Sequence, residues 1–183
     1  IDAILGLEAP SAGSVRIGDT EATRLGAGAR RRLGLAYIPQ DRQREGLLLD
    51  APLWENRILG HQHAAPNSRG PWLTPGGARA DTRRIVAESD VRTPSIDVAA
   101  SALSGGNQQK LIVGRELSGA PRLLIAAHPT RGVDVGAQAA IWARLGLARD
   151  DGLAVLLVSS DLGELVALAD RIVVMLRGRL VAE

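Results

Sequence analysis

Two short stretches hold the residues whose types and spacing best suit chemistry. The first is LSGGNQQK, residues 103–110, in which a serine and two glycines come directly before a helix-like segment. A capping Ser104 and glycines in the first turn leave several backbone N–H groups free and let an anion approach closely. The helix dipole adds positive potential there. The stretch therefore predicts a phosphate-binding helix start, and an ordinary glycine-rich first turn is the alternative.

The second stretch is LLIAAHPTRGVDVG, residues 123–136, which indicates a buried strand followed by a tight corner. Such strands often deliver a carboxylate to a phosphate or a metal ion, but here the corner holds Ala127 and His128. Alanine has no ligating atom, whereas an unperturbed histidine titrates at about pH 6.5 and is able to act as a base. His128 is therefore a candidate base, and a polar corner residue packed before Pro129 is the alternative.

The elements that must position these residues alternate between strands and helices. Apolar runs predict strands at 13–19, 31–39, 122–127 and 153–160. Helical spacing and caps predict helices at 78–91, 104–119, 136–150 and 161–170. A terminal hairpin is expected from 171–176 and 179–183, and loops with short helices from 40–75. Near-continuous apolar strands separated by helices predict an α/β fold with a mostly parallel sheet covered on both faces.

Composition narrows the class of protein. The 183 residues fit one domain, 45% of them are hydrophobic, and no cysteine is present, which excludes disulfide scaffolds and cysteine-based zinc sites. No apolar run reaches the roughly eighteen residues that a membrane-spanning helix needs. The net charge is +2, and one lysine, Lys110, leaves 21 of the 22 basic residues as arginine. Because the arginines are interspersed with acids, nucleic-acid binding is not favoured.

Five segments, in order along the chain, resemble the ATP-binding cassette domain of ABC transporters. They are LGLEAPSAGSVRIGD, YIPQDRQREGLLLDAPLWENRIL, LSGGNQQK, PRLLIAAHPTRGVDVGAQ and LLVSSDLGELVALADRIVVMLRGRLV. The form of LSGGNQQK is similar to the signature motif of the second, C-terminal cassette in importers of simple sugars and nucleosides. The resemblance implies an ATP-binding subunit that uses ATP binding and hydrolysis to drive import.

The resemblance also implies a domain organisation. We expect a P-loop NTPase-like nucleotide-binding core from residues 1–40 and 120–183, and a helical signature subdomain from residues 41–119. No G-x-x-x-x-G-K-[ST] phosphate loop is present, and the only lysine lies in the signature. In the family this loop lies just upstream of the segment that matches residue 1. The sequence also starts without methionine, and we expect a piece of a longer protein.

Particular residues take functional positions by this resemblance. Gln40 matches the Q-loop glutamine, Ser160 stands at the switch position that is usually histidine, and Asp134 matches the D-loop aspartate that contacts a partner cassette. Local alternatives are a turn residue for Gln40 and a helix cap for Asp134. Trp54 matches a short helix that meets the membrane subunit, and it suits a core position equally well. The signature residues implied to bind nucleotide in trans are Ser104, Gly105, Gly106, Asn107 and Gln108.

Two positions depart from the family pattern, and they predict how this chain takes part in ATP hydrolysis. A competent cassette has Asp-Glu where this chain has Ala127 and His128. The Asp helps to hold Mg²⁺ and the Glu polarises the attacking water. We therefore expect no metal ligands in this chain and a degenerate half-site of its own. Its signature is expected to complete the site of a partner cassette. That partner is expected to bind most of the ATP and the Mg²⁺.

The implied partners are a second cassette, expected to be the N-terminal half of the same polypeptide, together with transmembrane permease subunits and a substrate-binding protein. The expected location is the cytoplasmic face of the plasma membrane. Three alternatives remain open: an active ATPase with His128 as base, a non-transport cassette in DNA repair or on ribosomes, and a regulatory or interaction cassette without catalysis. The second would predict coiled-coil heptads or a basic linker, and the sequence has neither.

Overall fold

The computed structural model describes all of residues 1–183, and its elements follow the predicted alternation. The α-helices are α1 (Asp2–Leu5), α2 (Ala27–Arg32), α3 (Leu53–Ile58), α4 (Pro75–Glu88), α5 (Gly105–Leu117), α6 (Val135–Asp150) and α7 (Leu162–Leu168). The strands are β1 (Arg16–Ile17), β2 (Thr20–Glu21), β3 (Leu35–Ile38), β4 (Ser68–Arg69), β5 (Trp72–Leu73), β6 (Leu123–Ala127), β7 (Ala154–Val158), β8 (Val174–Leu176) and β9 (Arg179–Ala182). A π-helical turn covers Arg42–Gly46 and a 3-10 turn covers Ala100–Ala102.

The main sheet has three parallel strands in the order β3-β6-β7. Its central strand, β6, is almost entirely apolar and is buried at four of its five positions. Strands of this kind are covered on both faces. One face of β6 packs on α5 and α6, and the other packs on α1, β1 and the residues that precede β3. The predicted α/β class with a parallel sheet core is confirmed.

The edge strand β7 differs from β6. Its residues alternate between exposed and half-buried, and Leu156 is 39% exposed. The expectation of a sheet covered on both faces is therefore met at β6 and is wrong at β7. An edge strand pairs on one side only, so its second row of backbone groups lacks a strand partner.

The strand predicted from Arg31 begins later in the structure, because Ala27–Arg32 forms helix α2. Arg30 holds this turn in place: its side chain is buried and its guanidinium donates at 2.5–2.9 Å to the backbone carbonyls of Ala3, Ile4, Thr23 and Leu25. Gly34, with φ of 96°, then turns the chain into β3. An added Cβ at Gly34 would lie 2.9 Å from Arg122, so glycine is required at this turn.

The larger hydrophobic cluster joins the sheet to the helices between residues 41 and 119. It includes Ala36 and Ile38 of β3, Leu124 of β6, and Ile112 and Val113 of α5. The proposed boundary between a nucleotide-binding core and a helical subdomain therefore crosses one continuous core, and the division stays a prediction.

The predicted terminal hairpin is present as β8 paired antiparallel with β9. All seven of its strand residues are exposed, and Met175 and Leu180 are each 68% exposed. None of the helices has the length and apolar character that crossing a membrane would take.

Candidate functional site

The start of α5 presents Ser104 to solvent as the helix cap. Its Oγ accepts hydrogen bonds from the backbone N of Asn107 at 3.4 Å and from Nδ2 of the same residue at 3.0 Å. Because both bonds use the oxygen as acceptor, the hydroxyl proton of Ser104 stays free to donate outward. The serine can therefore cap the helix and bind an anion at once.

The two glycines that follow are required by packing. A Cβ added at Gly106 would lie 2.9 Å from Cβ of Ala137 and 3.0 Å from Oδ2 of Asp134, so α5 and α6 approach closely here. A Cβ added at Gly105 would lie 2.6 Å from Nη2 of Arg42. Sequence reasoning assigned these glycines to phosphate approach alone and missed their packing role.

The remaining signature side chains are engaged within the protein. Asn107 Oδ1 accepts from the backbone N of Arg92 at 2.8 Å. Gln108 is 3% exposed and its Nε2 donates to the carbonyl of Ala100 at 3.1 Å, so its amide faces the interior. The expectation that Gln108 reaches a nucleotide in trans does not fit this placement, because a helix carries successive side chains to different faces. Lys110 pairs with Asp90 at 2.8 Å, and this hydrogen bond lowers the pKa of the Asp90 carboxyl.

A second region, the strand-end cavity, lies beyond the ends of β6 and β7. It has a volume of about 630 Å³ and no hydrophobic residue in its lining. Three residues predicted from separate segments, Gln40, His128 and Ser160, line it together, although sequence alone gave no distance between them. The other lining residues are Thr130, Arg131, Gly132, Gln138, Ser159, Asp161 and Glu164. The cavity is polar, and both charge signs are present on its walls.

At the corner itself, Ala127 is buried at 2% exposure and His128 is half-buried. His128 has φ of 47°, a left-handed conformation that side-chain-bearing residues seldom adopt. Its backbone N donates to the carbonyl of Val158 at 2.8 Å, which ties the corner to β7. No cluster of three or more His, Cys, Asp or Glu side chains suited to a metal ion is present in the chain.

Glu164 is a cavity residue that sequence reasoning missed. It is 1% exposed, and its Oε1 accepts from Thr130 Oγ1 at 2.7 Å and from Trp142 Nε1 at 3.1 Å. The signal available in the sequence was its place three residues after Asp161, whose side chain caps α7 by accepting from the backbone N of Gly163 and Glu164. Glu164 joins the corner after β6 to α6 and α7.

Asp134 lies between the two regions and caps α6. Its Oδ1 accepts from the backbone N of Ala137 at 2.9 Å, and this bond lowers the pKa of its carboxyl. The helix-cap interpretation is therefore confirmed. The side chain is also exposed, so a contact with a partner stays a prediction.

A buried ionic cluster connects α5 with β3, the strand that leads to Gln40. Glu116 accepts from Arg115 at 2.9 Å, from Arg31 at 3.1 Å and from the backbone N of Tyr37 at 3.2 Å. Burial alone would raise the pKa of Glu116, but the guanidinium groups of Arg115 and Arg31 hold it below its ordinary value. Arg115 also donates to the carbonyls of Gly46 and Asn56.

The short helix α3 carries a half-buried tryptophan and a buried asparagine. Trp54 is half-buried with the guanidinium of Arg79 over its ring at 5.6 Å, which leaves both the contact and the core interpretation open. Asn56 is fully buried and bonds the backbone of Leu48, Ala51 and Pro52. It is a structural residue of this loop.

Comparison with known proteins places these features in a family. A protein-family model described as ABC transporter matches residues 1–131. The guanosine import ATP-binding protein NupO of Bacillus subtilis is 43% identical over 182 residues, which is 100% of this chain and 36% of that protein. The ribose import ATP-binding protein RbsA of Jannaschia sp. is 35% identical, over 100% of this chain and 35% of that protein. The chain thus spans about a third of the length of the curated relatives it matches.

Solved structures agree on the fold. A nucleotide-free ATP-binding cassette from an ABC transporter matches 99% of this chain and 72% of its own, with a TM-score of 0.76 and 20% identity. A dimeric ATP-binding cassette in a post-hydrolysis state, bound to ADP and Pi, matches 89% of this chain and 69% of its own, with a TM-score of 0.72 and 20% identity.

Proposed function

The chain belongs to the ABC transporter family of ATP-binding domains, and on that premise we propose that it is part of the ATP-binding subunit of an importer for simple sugars or nucleosides. Support for this cargo class comes from relatives that are named as guanosine, ribose and nucleoside import ATP-binding proteins. In the assembled transporter, ATP binding and hydrolysis drive import. The chain acts there as the second cassette.

The observation that carries the proposal is the difference between the two regions. At the start of α5, Ser104 is exposed, its Oγ accepts two hydrogen bonds from Asn107, and its hydroxyl proton is free to be donated. At the end of β6, Ala127 and His128 replace the acids of a competent cassette. We infer that the chain supplies its signature to ATP bound on a partner cassette, while its own half-site turns ATP over slowly or not at all.

The residues of the strand-end cavity do not fit an Mg²⁺ site of their own. Mg²⁺ prefers carboxylate and water oxygens in an octahedral arrangement. Ala127 has no ligating atom, Asp161 caps α7, Glu164 is held by Thr130 and Trp142, and no three acidic or histidine side chains converge there. We therefore assign Mg²⁺ and most contacts to ATP to the partner cassette, and derive no metal-dependent step at this cavity.

The start of α5 suits a phosphate group for three physical reasons. The first turn has backbone N–H groups without helical acceptors, the aligned peptide dipoles place positive potential there, and Ser104 adds a hydroxyl donor. The half-buried Gly105 leaves no side chain between the helix start and an approaching anion. In this proposal Asp134, exposed beside Gly106, contacts the partner cassette.

The remaining partners follow from the transporter assignment. We propose that the chain works with transmembrane permease subunits and a substrate-binding protein, at the cytoplasmic face of the plasma membrane. One of the solved neighbours is a dimeric cassette, which supports an arrangement in pairs. The partner cassette is proposed to be the N-terminal half of the same polypeptide. Nucleic acid is not among the proposed partners.

The test is the ATPase rate of the assembled transporter with Ser104→Arg. The arginine places bulk where the partner's phosphate meets the helix, and we expect hydrolysis to fall about a hundredfold or more, as when a transition-state donor is lost. Ser104→Asp keeps a helix-capping acceptor but adds negative charge, so it separates phosphate repulsion from loss of the cap. We expect it to be nearly as inactive.

Ser101→Arg is the matched control, because Ser101 is an exposed serine in the preceding 3-10 turn. We expect it to hydrolyse ATP at the wild-type rate. Normal hydrolysis by Ser104→Arg would exclude the signature from the productive site and would favour the alternative with His128 as base. A chain that merely regulates the partner would also tolerate both substitutions at Ser104.

A further inference from the structure

Arg42 makes a long-range contact that the proposed function does not use. Its Nη1 donates to the carbonyl of Arg131 at 2.7 Å and its Nη2 to the carbonyl of Gly132 at 3.2 Å, across about ninety positions of sequence. The planar guanidinium suits this pair because it presents parallel donors in a fixed geometry. Gly132 has φ of 65°, in the left-handed region that favours glycine.

The same guanidinium reaches the signature. A Cβ added at Gly105 would lie only 2.6 Å from Nη2, and Nε of Arg42 is buried without a hydrogen-bond partner. A cation beside a helix start is unfavourable by itself, because the helix dipole is positive there. The two carbonyls offset this repulsion, and the remaining positive charge lies where an anion is expected to bind.

The turn that carries Arg42 is fixed at both ends. Asp41 caps it by accepting from the backbone N of Gln43 and Arg44, and Arg115 of α5 donates to the carbonyl of Gly46 at 2.9 Å. Gln40 comes directly before this turn. Arg42 therefore lies between three segments, which are the start of α5, the 131–134 loop and the Gln40 segment. A displacement of its side chain would change its contacts with all three.

We propose that Arg42 is a positioning residue that holds the signature, the 131–134 loop and the Gln40 segment as one rigid unit when the chain completes a partner's ATP site. Gly105 is glycine in part because this guanidinium occupies the space of a side chain. The inference rests on the proposed function, since it assigns the contact a role in that same site.

The first test measures the ATPase of the assembled transporter with Arg42→Ala and Arg42→Lys. Small displacements in such sites reduce rates strongly, so we expect kcat to fall about tenfold or more in Arg42→Ala while KM for ATP stays within about twofold. Lysine keeps the positive charge but lacks the planar, fixed pair of donors of the guanidinium, so Arg42→Lys should restore only part of the rate. Arg44→Ala is the matched control from the same turn, with an exposed side chain, and should match the wild type.

The second test is a double-mutant cycle between positions 42 and 105. Gly105→Ala displaces the guanidinium and should lower kcat in the wild type, whereas the same change in the Arg42→Ala background should lower kcat by a clearly smaller factor. An equal loss in both backgrounds would overturn the proposal, since Gly105 would then be needed only for approach of the phosphate.

Hydrogen exchange separates this inference from the proposed function. Arg42→Ala should speed amide exchange at residues 131–134 and leave the interior of α5, Leu111–Val113, unchanged. Unchanged exchange at 131–134, or faster exchange with normal kcat, overturns the positioning role. Failure of the proposed function would be recognised by a different result, namely normal ATP hydrolysis by Ser104→Arg.

Discussion

At the start of α5, Ser104, Gly105 and Gly106 are each fixed by a specific neighbour, whereas the corner after β6 combines a buried alanine with a half-buried histidine in left-handed backbone. In the proposed function the first region binds an anion from outside the chain. The second also has polar walls, but Ala127 and His128 stand at the two positions where the resemblance implies acids. The proposed function rests on this difference between the two regions.

The two regions also differ in the contacts that connect them to the rest of the protein. Around the corner, Glu164 and its partners Thr130 and Trp142 still tie the elements together, although Ala127 contributes no ligand. Such contacts stabilise the fold whether or not the site turns over. The other end of α5 is tied to β3 by the ionic cluster around Glu116.

The largest effect is expected when that cluster is broken by Glu116→Ala. The change leaves Arg115 buried without its carboxylate and the backbone N of Tyr37 without an acceptor. Removal of one partner from a buried pair costs about 3–5 kcal/mol in the free energy of unfolding. Urea unfolding of the variant measures the loss, and Glu55→Ala, at an exposed position on α3, is the control. Equal midpoints for the two variants would show that the cluster does not hold α5 to β3.

A smaller effect should come from His61, which lies beside Arg31 in the same cluster. Burial lowers the pKa of His61 to about 4. Between about pH 6.5 and this value the unfolded chain binds a proton at His61 that the folded protein does not, so the free energy of unfolding falls as the pH falls. Above about pH 6.5 His61 is neutral in both states and causes no loss of stability. Below that pH its protonation in the unfolded chain lowers the free energy of unfolding by at most about 3 kcal/mol.

Unfolding at about pH 7 and about pH 4.5 checks this sign. We expect His61→Gln to reduce the loss of stability between the two conditions, whereas His63→Gln, at an exposed histidine, should leave it as in the wild type. If His61→Gln lost as much stability between the two pH values as the wild type, the group responsible for the pH dependence would not be His61.

The smallest effect is expected at the corner itself. Restoring the acids with Ala127→Asp and His128→Glu should leave steady-state ATPase of the assembled transporter within about twofold of the uncharged control, Ala127→Asn with His128→Gln. The reason is that the proposed function places the productive site on the partner cassette. A gain in ATPase rate of about a hundredfold, the lower end of what a positioned base contributes, would contradict the proposal that this chain's own site is inactive.

Much of the fold could be predicted because local signals were strong. Caps at Ser104, Asp134 and Asp161 set the starts of three helices, and the apolar run of β6 marked the central strand. Helix α2 was missed because its formation depends on Arg30, whose acceptors include carbonyls from the first residues of the chain. Local propensity contains no information on such distant acceptors.

The candidate site shows the same limit. Gln40, His128 and Ser160 could be selected from the sequence, since each belongs to a recognisable segment. Burial of Gln108 and the contact of Arg42 with Arg131 and Gly132 could not, because both depend on which faces meet after the helices pack. Side-chain direction within a motif is thus a tertiary property.

The exposed hairpin of β8 and β9 has a practical consequence for every experiment on this chain in isolation. Met175 and Leu180 present apolar surface at the end of the molecule, and β7 leaves a strand edge unpaired. Exposed apolar strands associate edge to edge, so heating the isolated chain at high concentration should give precipitation rather than a reversible melt. Dilute samples, isothermal denaturant titrations and a solubilising fusion partner are the conditions under which its stability becomes a measurable quantity.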